Sequence, residues 1–201
     1  MKVLKEKEAE DFLEKNGFPV AKRGLAKKYE EAEKIASKFG YPVTLKITNE
    51  LHKAEVDGVK ITNKEELMSD FKDLKKKSQV ILVQEYIKGI EIIAGLKKDP
   101  TFGHVLLFGL GGTYVEVIKD VSFRICPVEL KDVNEMIQET KGYNLLKGYR
   151  GKKYNIKSIE EILIKLSKLS LKYPNIEELD INPLIVNSKE SVIVDARIIM
   201  K

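Results

Sequence analysis

The order of helical and strand patterns along the chain limits its fold more than any other feature. From about residue 24 to 83 helical and strand patterns alternate, whereas most segments from residue 90 onward are strand patterns joined by turns. The first arrangement is typical of a compact α+β lobe and the second of antiparallel hairpins. The sequence therefore predicts an α+β protein of two lobes. One lobe holds residues 24–83, and the other holds residues 1–23 and 84–201.

Two neighbouring segments define the first lobe. In YEEAEKIASKFG the apolar residues recur at helical spacing and Gly40 provides a stop, which predicts a helix. The next segment, YPVTLKIT, alternates apolar and polar residues and predicts a half-buried strand. Because its polar positions face away from the core, Lys46 is expected on an exposed strand face.

Two capping patterns predict where later helices begin. Asn63 and Glu66 have capping-box spacing before an apolar run, which predicts a helix over residues 63–77. Ser158 and Glu161 repeat the pattern before a further helix. Between these helices, TYVEVIK predicts a strand, and the glycine-marked KGYNLLKGYRGKKYN predicts a mobile connection.

Composition excludes several classes of protein. The 201 residues include 36 basic and 31 acidic ones, so the formal charge is only +5, and we expect no nucleic-acid partner. The lysines at 75–77 are explained by a solvated helix end. A single cysteine excludes an internal disulfide, and no apolar run approaches the roughly 20 residues of a membrane span. We therefore expect a cytoplasmic protein, and its bias toward Lys, Glu and Ile suggests a thermophile.

The last two strand patterns give the sharpest geometric prediction. ELDINPLIV and SVIVDARII flank a turn centred in NSKE, so the numbers of opposed residues sum to 377. Asn182 then lies across from Asp195 on one face of an antiparallel pair, and Asp180 and Arg197 share that face. An amide and a carboxylate oxygen, with water and phosphate oxygens, are ligands that Mg²⁺ accepts. An ordinary polar pair beside a turn is an equally good explanation.

Four other motifs could bind or transfer phosphate. Lys46 could neutralise a triphosphate or be one more surface lysine. His52, in LKITNELHKAEVDGVK, could be a nucleophile, because neutral imidazole is well populated at pH 7, or a solvated loop histidine. The glycines of FGLGG could offer N–H groups to phosphate, although a tight turn is the simpler reading. VQEYI, at the lobe junction, could be a hinge that meets an adenine edge, or simply a strand entering a loop.

Taken together, three segments resemble the ATP-grasp beta subunit of ADP-forming acetyl-CoA synthetase. They are LKITNELHKAEVDGV, VQEYIKGIEIIAGLKKDPTFGHVLLFGLGGTYVEVIKDVSFRICPVEL and ELDINPLIVNSKESVIVDARI. The resemblance implies a two-lobed ATP-grasp fold that binds Mg²⁺ and ATP or ADP. It implies an enzyme that interconverts acyl-CoA, ADP and phosphate with free acid, CoA and ATP through phosphohistidine. It also implies a larger CoA-binding alpha subunit as partner, in an α2β2 assembly.

The resemblance assigns roles to individual residues. It makes His52 the catalytic histidine and Lys46 the strand lysine that binds nucleotide phosphate. It makes Asn182 and Asp195 the metal ligands, in agreement with the hairpin register. The other implied nucleotide-binding residues are Glu85, Tyr86 and Ile87 of the hinge, Gly109, Gly111 and Gly112 of the glycine loop, and Arg124.

Two residues near His52 depart from the family pattern. Ala54 stands where Ser or Thr is usual, and Asp57 stands where many relatives have the first glycine of a pair. The lost hydroxyl and the added carboxylate could slow phosphoryl transfer. Two other functions therefore stay open: a stand-alone ATP-grasp carboxylate ligase, and a non-catalytic nucleotide-binding assembly module.

Overall fold

A computed structural model describes residues 1–48, 53, 56–111, 120–148 and 153–201. The chain divides into two compact units: Ala21–Ile87, and Met1–Val20 together with Lys88–Lys201. The lobe expected at residues 24–83 lies inside the first of these, and its assignment as a functional domain stays a prediction. Within the described ranges, no helix is both long and apolar enough to cross a membrane.

The described residues form an α+β protein whose helices and strands follow each other in this order: β1 (Lys2–Leu4), α1 (Glu6–Lys15), β2 (Arg23–Ala26), α2 (Tyr29–Phe39), β3 (Val43–Ile47), β4 (Val59–Thr62), α3 (Leu67–Lys75), β5 (Ile81–Glu85), β6 (Ile90–Asp99), β7 (Gly103–Leu110), β8 (Val121–Ile125), α4 (Leu130–Gln138), α5 (Tyr143–Leu146), α6 (Ile156–Lys172), β9 (Ile176–Val186), β10 (Ser191–Ile193) and β11 (Ala196–Met200).

The smaller unit is a four-stranded antiparallel sheet in the order β2-β5-β3-β4. Its core contains the alternate β3 residues Val43, Leu45 and Ile47, together with buried residues of α2 and α3. The predicted helix and strand are thus confirmed as α2 and β3. α2 ends at Gly40, whose φ of +87° favours glycine.

The larger unit is a seven-stranded sheet in the order β1-β11-β9-β6-β7-β8, with β10 also paired to β9. Alternate residues of β6 and β7, such as Ala94 and Phe108, are buried in a core shared with α1, α4 and α6. The other face carries Phe123 and Ile125, each 52% exposed. One face of the sheet is therefore covered by helices, and polar and apolar side chains are accessible on the other.

Both predicted capping boxes are wrong. α3 begins at Leu67 rather than at residue 63, and the side chain of its N-cap residue, Glu66, makes no capping hydrogen bond within the described part of the chain. α6 begins at Ile156, because Asn155 is its N-cap and accepts the Ser158 N–H at 3.1 Å. The predicted mobile connection contains the short helix α5, while TYVEVIK lies outside the described residues.

Candidate active site

The register predicted for the terminal hairpin is confirmed. Val186 pairs with Ser191 and Ile181 pairs with Ala196, and both pairs sum to the expected number. Between them, the Asn182 N–H donates to the Asp195 carbonyl oxygen at 3.1 Å. Because opposed residues of an antiparallel pair share a face, this register places Asn182 and Asp195 on one face of the hairpin. The side chain of Asn182 is exposed and that of Asp195 is half-buried.

Two further charged residues lie beside this pair. Asp180 pairs with Arg197 in the same register, and Arg197 Nη2 donates to Glu178 Oε1 at 2.8 Å. Burial raises the pKa of Asp180; the Arg197 charge opposes this shift, and the carboxylates of Glu178 and Asp195 add to it. The hairpin thus concentrates negative charge at a partly buried position, which is the electrostatic environment that a cation relieves.

The side-chain chemistry of this pair fits a hard cation. One amide oxygen and one carboxylate oxygen leave most coordination positions to water or phosphate, which is how Mg²⁺ is usually bound. Among the described residues there is no group of three or more His, Cys, Asp or Glu side chains that could hold a metal by themselves. The assignment of Asn182 and Asp195 as metal ligands stays a prediction that this geometry supports.

Lys46 does not lie on an exposed strand face. Its side chain is only 5% exposed, so that expectation is wrong, although Lys46 does point away from the core of its own unit. Leu82, which pairs with Lys46, and Gln84 share this face and are also buried, so this part of the sheet is not open to solvent. Burying an ammonium group is costly without a polar or anionic partner. Lys46 is therefore not one more surface lysine.

The hinge residues differ in their availability for a ligand. The Glu85 carboxylate accepts the Lys22 N–H at 2.8 Å, and the Glu85 N–H donates to the Lys22 carbonyl at 2.9 Å. Glu85 therefore holds together the two ends of the smaller unit. Tyr86 is 38% exposed and Ile87 is half-buried. Adenine contacts at this hinge would use Tyr86, Ile87 or the backbone rather than the Glu85 carboxylate.

The predicted glycine loop is partly strand. Gly109 lies within β7, between Ile93 of β6 and Val121 of β8. A Cβ atom at Gly109 would lie 2.5 Å from the Asp120 carbonyl oxygen, so only glycine fits there. The Gly111 N–H donates to the Glu91 carbonyl at 2.8 Å. These two glycines allow close packing of strands, and Gly112 lies outside the described residues.

Arg124 lies on the helix-covered face of the larger sheet. Its guanidinium donates to both carboxylate oxygens of Glu139, at 3.0 and 2.6 Å. Ser122, two residues earlier on β8, donates to the Met136 carbonyl of α4, which shows that this side of the strand faces the helix. The role of Arg124 in nucleotide binding stays a prediction that this position does not favour.

Of the two histidines, His104 is among the described residues and His52 is not. His52 and its neighbour Ala54 lie outside the described residues, so the catalytic role of His52 stays a prediction. His104 Nε2 lies 2.7 Å from the Ile176 carbonyl oxygen, a structural contact of the kind expected for a histidine without charged neighbours.

One contact near the His52 segment was missed by the sequence analysis. Lys77 Nζ donates to the Val56 and Asp57 carbonyls at 2.7 and 3.3 Å. A run of three lysines at a helix end gives no signal of such a contact, because the carbonyls come from a segment 20 residues earlier in the chain.

Comparison with known proteins agrees with this fold. A family model for the ATP-grasp domain matches residues 1–200. The two α+β units and the polar terminal hairpin are thus those of an ATP-grasp protein. The subunit beta of acetate–CoA ligase (ADP-forming) I from Pyrococcus furiosus is 39% identical, over 98% of this chain and 91% of that subunit. The chain belongs to the family of beta subunits of ADP-forming acetate–CoA ligases.

Longer relatives and solved structures extend this comparison. The acetate–CoA ligase (ADP-forming) I of Archaeoglobus fulgidus is 41% identical over 94% of this chain, but the chain spans only 30% of the length of that relative. A structure of acetyl-coenzyme A synthetase 1 from Candidatus Korarchaeum cryptofilum, in complex with coenzyme A, Ca-AMPCP and HgCl+, matches with a TM-score of 0.92. It is 40% identical, and the match covers 100% of this chain and 94% of that chain.

Proposed function

We propose that the chain is the nucleotide-binding beta subunit of an ADP-forming acyl-CoA synthetase. The enzyme would interconvert acyl-CoA, ADP and phosphate with free acid, CoA and ATP. The observation that carries the proposal is the hairpin register that brings Asn182 and Asp195 together. The 39% identity to a Pyrococcus furiosus beta subunit over nearly all of both chains supports it.

Asn182 and Asp195 would hold the metal of a magnesium nucleotide. A structure of the Korarchaeum relative contains Mg-AMPPCP. The amide oxygen of Asn182 and the carboxylate of Asp195 are ligand types that suit Mg²⁺. When bound, Mg²⁺ offsets the charge that develops on the transferring phosphoryl group. Lys46 would bind nucleotide phosphate, and Tyr86 and Ile87 would border the adenine.

His52 would carry the phosphoryl group between the partner subunit and ADP. Its P–N bond would break as a P–O bond forms to the terminal oxygen of ADP, and the imidazole would be released neutral. Support comes from the Korarchaeum relative, whose structures include a phosphohistidine segment pointing towards the nucleotide binding site.

A larger CoA-binding alpha subunit would supply the remaining chemistry. The Pyrococcus relatives are named as beta subunits, and single-chain relatives are about three times as long as this chain. We propose an α2β2 assembly, in the cytoplasm where acyl-CoA and ADP are available. The bias toward Lys, Glu and Ile, with relatives from Pyrococcus and Archaeoglobus, supports a thermophilic source.

Phosphoryl labelling tests the proposal. The chain is reconstituted with the alpha subunit of a relative and incubated with γ-³²P-ATP and Mg²⁺, and acid-labile, base-stable label on the beta chain is counted. Label on the wild-type chain and its loss in His52→Ala are expected. Equal labelling of both chains would refute the histidine role.

Two further measurements, ATP consumption by the chain alone and nucleotide binding by the complex, could overturn the assignment. Acid-dependent ATP consumption without any alpha subunit would identify a stand-alone carboxylate ligase. Binding of Mg-ADP without phosphoryl exchange in the reconstituted complex would identify a non-catalytic nucleotide-binding module.

A further inference from the structure

The face of the larger sheet opposite its buried core carries apolar side chains on β7 and β8. Val105 pairs with Ile125, and Leu107 pairs with Phe123. Leu106, between the two β7 residues, is buried in the core with the helices, so its neighbours lie on the other face. Opposed residues share a face, so the four side chains form one apolar patch. Its two β8 members, Phe123 and Ile125, are exposed.

A depression lies beside the apolar patch, over Gly95 of β6. Gly95 pairs with Leu107 on one side and with Asp180 on the other, so the three residues form a row across the sheet. The row is lowest at Gly95, because glycine has no side chain. The cavity at this place has a volume of about 510 Å³, and Phe123 and Lys97 also line it. A cavity of this size is in the range that holds a bound group.

The proposed metal ligands belong to the same face of the same sheet. Ile181, next to Asn182, and Ala196, next to Asp195, are buried in the core with the helices. Because successive residues of a strand alternate between faces, Asn182 and Asp195 lie on the opposite face. Asn182 is two residues from Asp180 along β9, which is roughly 7 Å at about 3.3 Å per residue. The depression therefore adjoins the proposed metal site.

Phosphoryl transfer between subunits requires the partner to approach this face. Reacting atoms must come within about 3–3.5 Å of each other, so part of the alpha subunit must lie over the face that holds Asn182 and Asp195. A stable, specific interface buries about 800 Å² on each side, which is more than two residues provide. The contact must therefore extend over the surface around the metal site. The apolar patch suits such a contact, because aromatic residues are enriched and charged ones depleted in the centre of interfaces.

We propose that the apolar patch and the depression over Gly95 are a docking surface for the alpha subunit, and that an apolar side chain of that subunit fills the depression. The inference rests on the proposed function, because it takes the alpha subunit as the source of the phosphoryl group. It goes beyond that function, since it names the surface through which the two subunits associate.

The test compares exposed apolar residues on the two sides of the sheet. Phe123→Ser should raise the Kd for the alpha subunit of the same organism by about 10- to 100-fold, because truncating an aromatic residue at the centre of an interface has an effect of that size. Leu171→Ser is the matched control, since Leu171 is 63% exposed on α6, which packs on the other face. It should bind with wild-type affinity in the same calorimetric titration. A wild-type Kd for Phe123→Ser, or equal weakening in both variants, would overturn the inference.

A second variant separates docking from loss of folding. The melting temperature of Phe123→Ser should stay close to that of the wild type, because the ring is exposed in the chain alone. If Phe123→Ser unfolds, Lys97→Trp decides, since Lys97 is exposed and borders the depression. A bulky indole at this position should obstruct the partner and raise its Kd by about 10-fold or more. An unchanged or lower Kd would overturn the inference.

Other occupants of this surface would give different results. A loss of Mg-ADP affinity in Phe123→Ser would show that the surface binds the nucleotide. A dimer of the wild-type chain alone, seen by sedimentation and abolished in Phe123→Ser, would assign the surface to a second copy of the chain. Either result would overturn the inference and leave the proposed function standing. Failure of the wild-type chain to bind the alpha subunit would instead overturn the proposed function on which the inference depends.

Discussion

Asp57 adopts a backbone conformation that favours glycine, at a position where the family resemblance leads us to expect glycine. Its φ of +47° lies in the left-handed region, which costs most L-residues about 1–2 kcal/mol and Asp or Asn less. Glycine would remove that cost, but it would also give the unfolded chain more conformational freedom. That freedom lowers the free energy of unfolding by a similar amount, roughly 0.5–1 kcal/mol. The departure at Asp57 is thus tolerated for a local backbone reason.

The first prediction concerns substitutions at Asp57. We expect Asp57→Gly to change the free energy of unfolding by less than about 1 kcal/mol, because the two effects oppose each other. Asp57→Val should lower it by about 1–2 kcal/mol, because a β-branched side chain is strained at positive φ. Urea denaturation of both variants measures this, and a Val variant as stable as the wild type would contradict the backbone assignment.

The second prediction concerns pH and the pair of Arg124 and Glu139. The hydrogen bonds from Arg124 lower the pKa of Glu139. A carboxylate whose folded pKa lies below its unfolded pKa adds stability above the unfolded value, and this stability is lost as pH falls through the folded value. Glu139→Gln should therefore lower the melting temperature at neutral pH but not in strong acid. Glu135→Gln, on the same helix, is the control and should show a smaller difference at neutral pH.

Residue exposure was the property that sequence patterns described least well. Alternation in YPVTLKIT correctly placed Lys46 on the face opposite the core, but period-two spacing does not show whether that face is covered. Arg124 was assigned by resemblance to nucleotide binding, and its ion pair with Glu139 depends on where α4 ends. Such contacts come from distant segments, so no local pattern contains them.

At the scale of elements, the terminal hairpin shows what a sequence can predict well. A short turn and strict alternation allow one register, because a slip by one residue would turn every apolar side chain to the wrong face. The pairing of Asn182 with Asp195 followed directly. Helix starts were harder, since Asn155 caps α6 three residues before the predicted Ser158. Several residues of similar capping ability lie there, and tertiary packing selects one.

The third prediction tests what the glycines of β7 do. Gly109→Ala places a methyl group 2.5 Å from the Asp120 carbonyl oxygen, so it should lower the free energy of unfolding by about 1–3 kcal/mol. If Gly109 serves strand packing, the Kd of the folded protein for Mg-ADP should stay near the wild-type value at low temperature. A loss of affinity without a loss of stability would instead support phosphate binding by its backbone.

At the scale of the whole molecule, nucleotide binding should stabilise the fold by mass action. A ligand at 100 times its Kd that binds only the folded state adds about 2.7 kcal/mol. If Asn182 and Asp195 hold the cation, the stabilisation of the folded state by bound nucleotide requires Mg²⁺. The stabilisation thus reports the assembled site without requiring the alpha subunit or turnover.

The fourth prediction follows from this linkage. We expect Mg-ADP to raise the melting temperature of the wild-type chain, and EDTA to remove most of the increase. Asp195→Ala should show only the small increase that remains without the metal, while Glu177→Gln, a carboxylate change on β9, should behave like the wild type. An increase in Asp195→Ala that equals that of the wild type would show that the metal ligands lie elsewhere.

The pairing of β1 with β11 joins the two ends of the larger unit, whereas the smaller unit is one continuous stretch, Ala21–Ile87. During synthesis on the ribosome, the smaller unit can finish folding while much of the chain is still being made. The larger sheet cannot close until residues 196–200 have emerged, so its first strand must wait for a partner. Translation itself therefore sets an order of assembly, and a pause before residues 196–200 are made would prolong the exposure of an incomplete β-sheet to chaperones and aggregation.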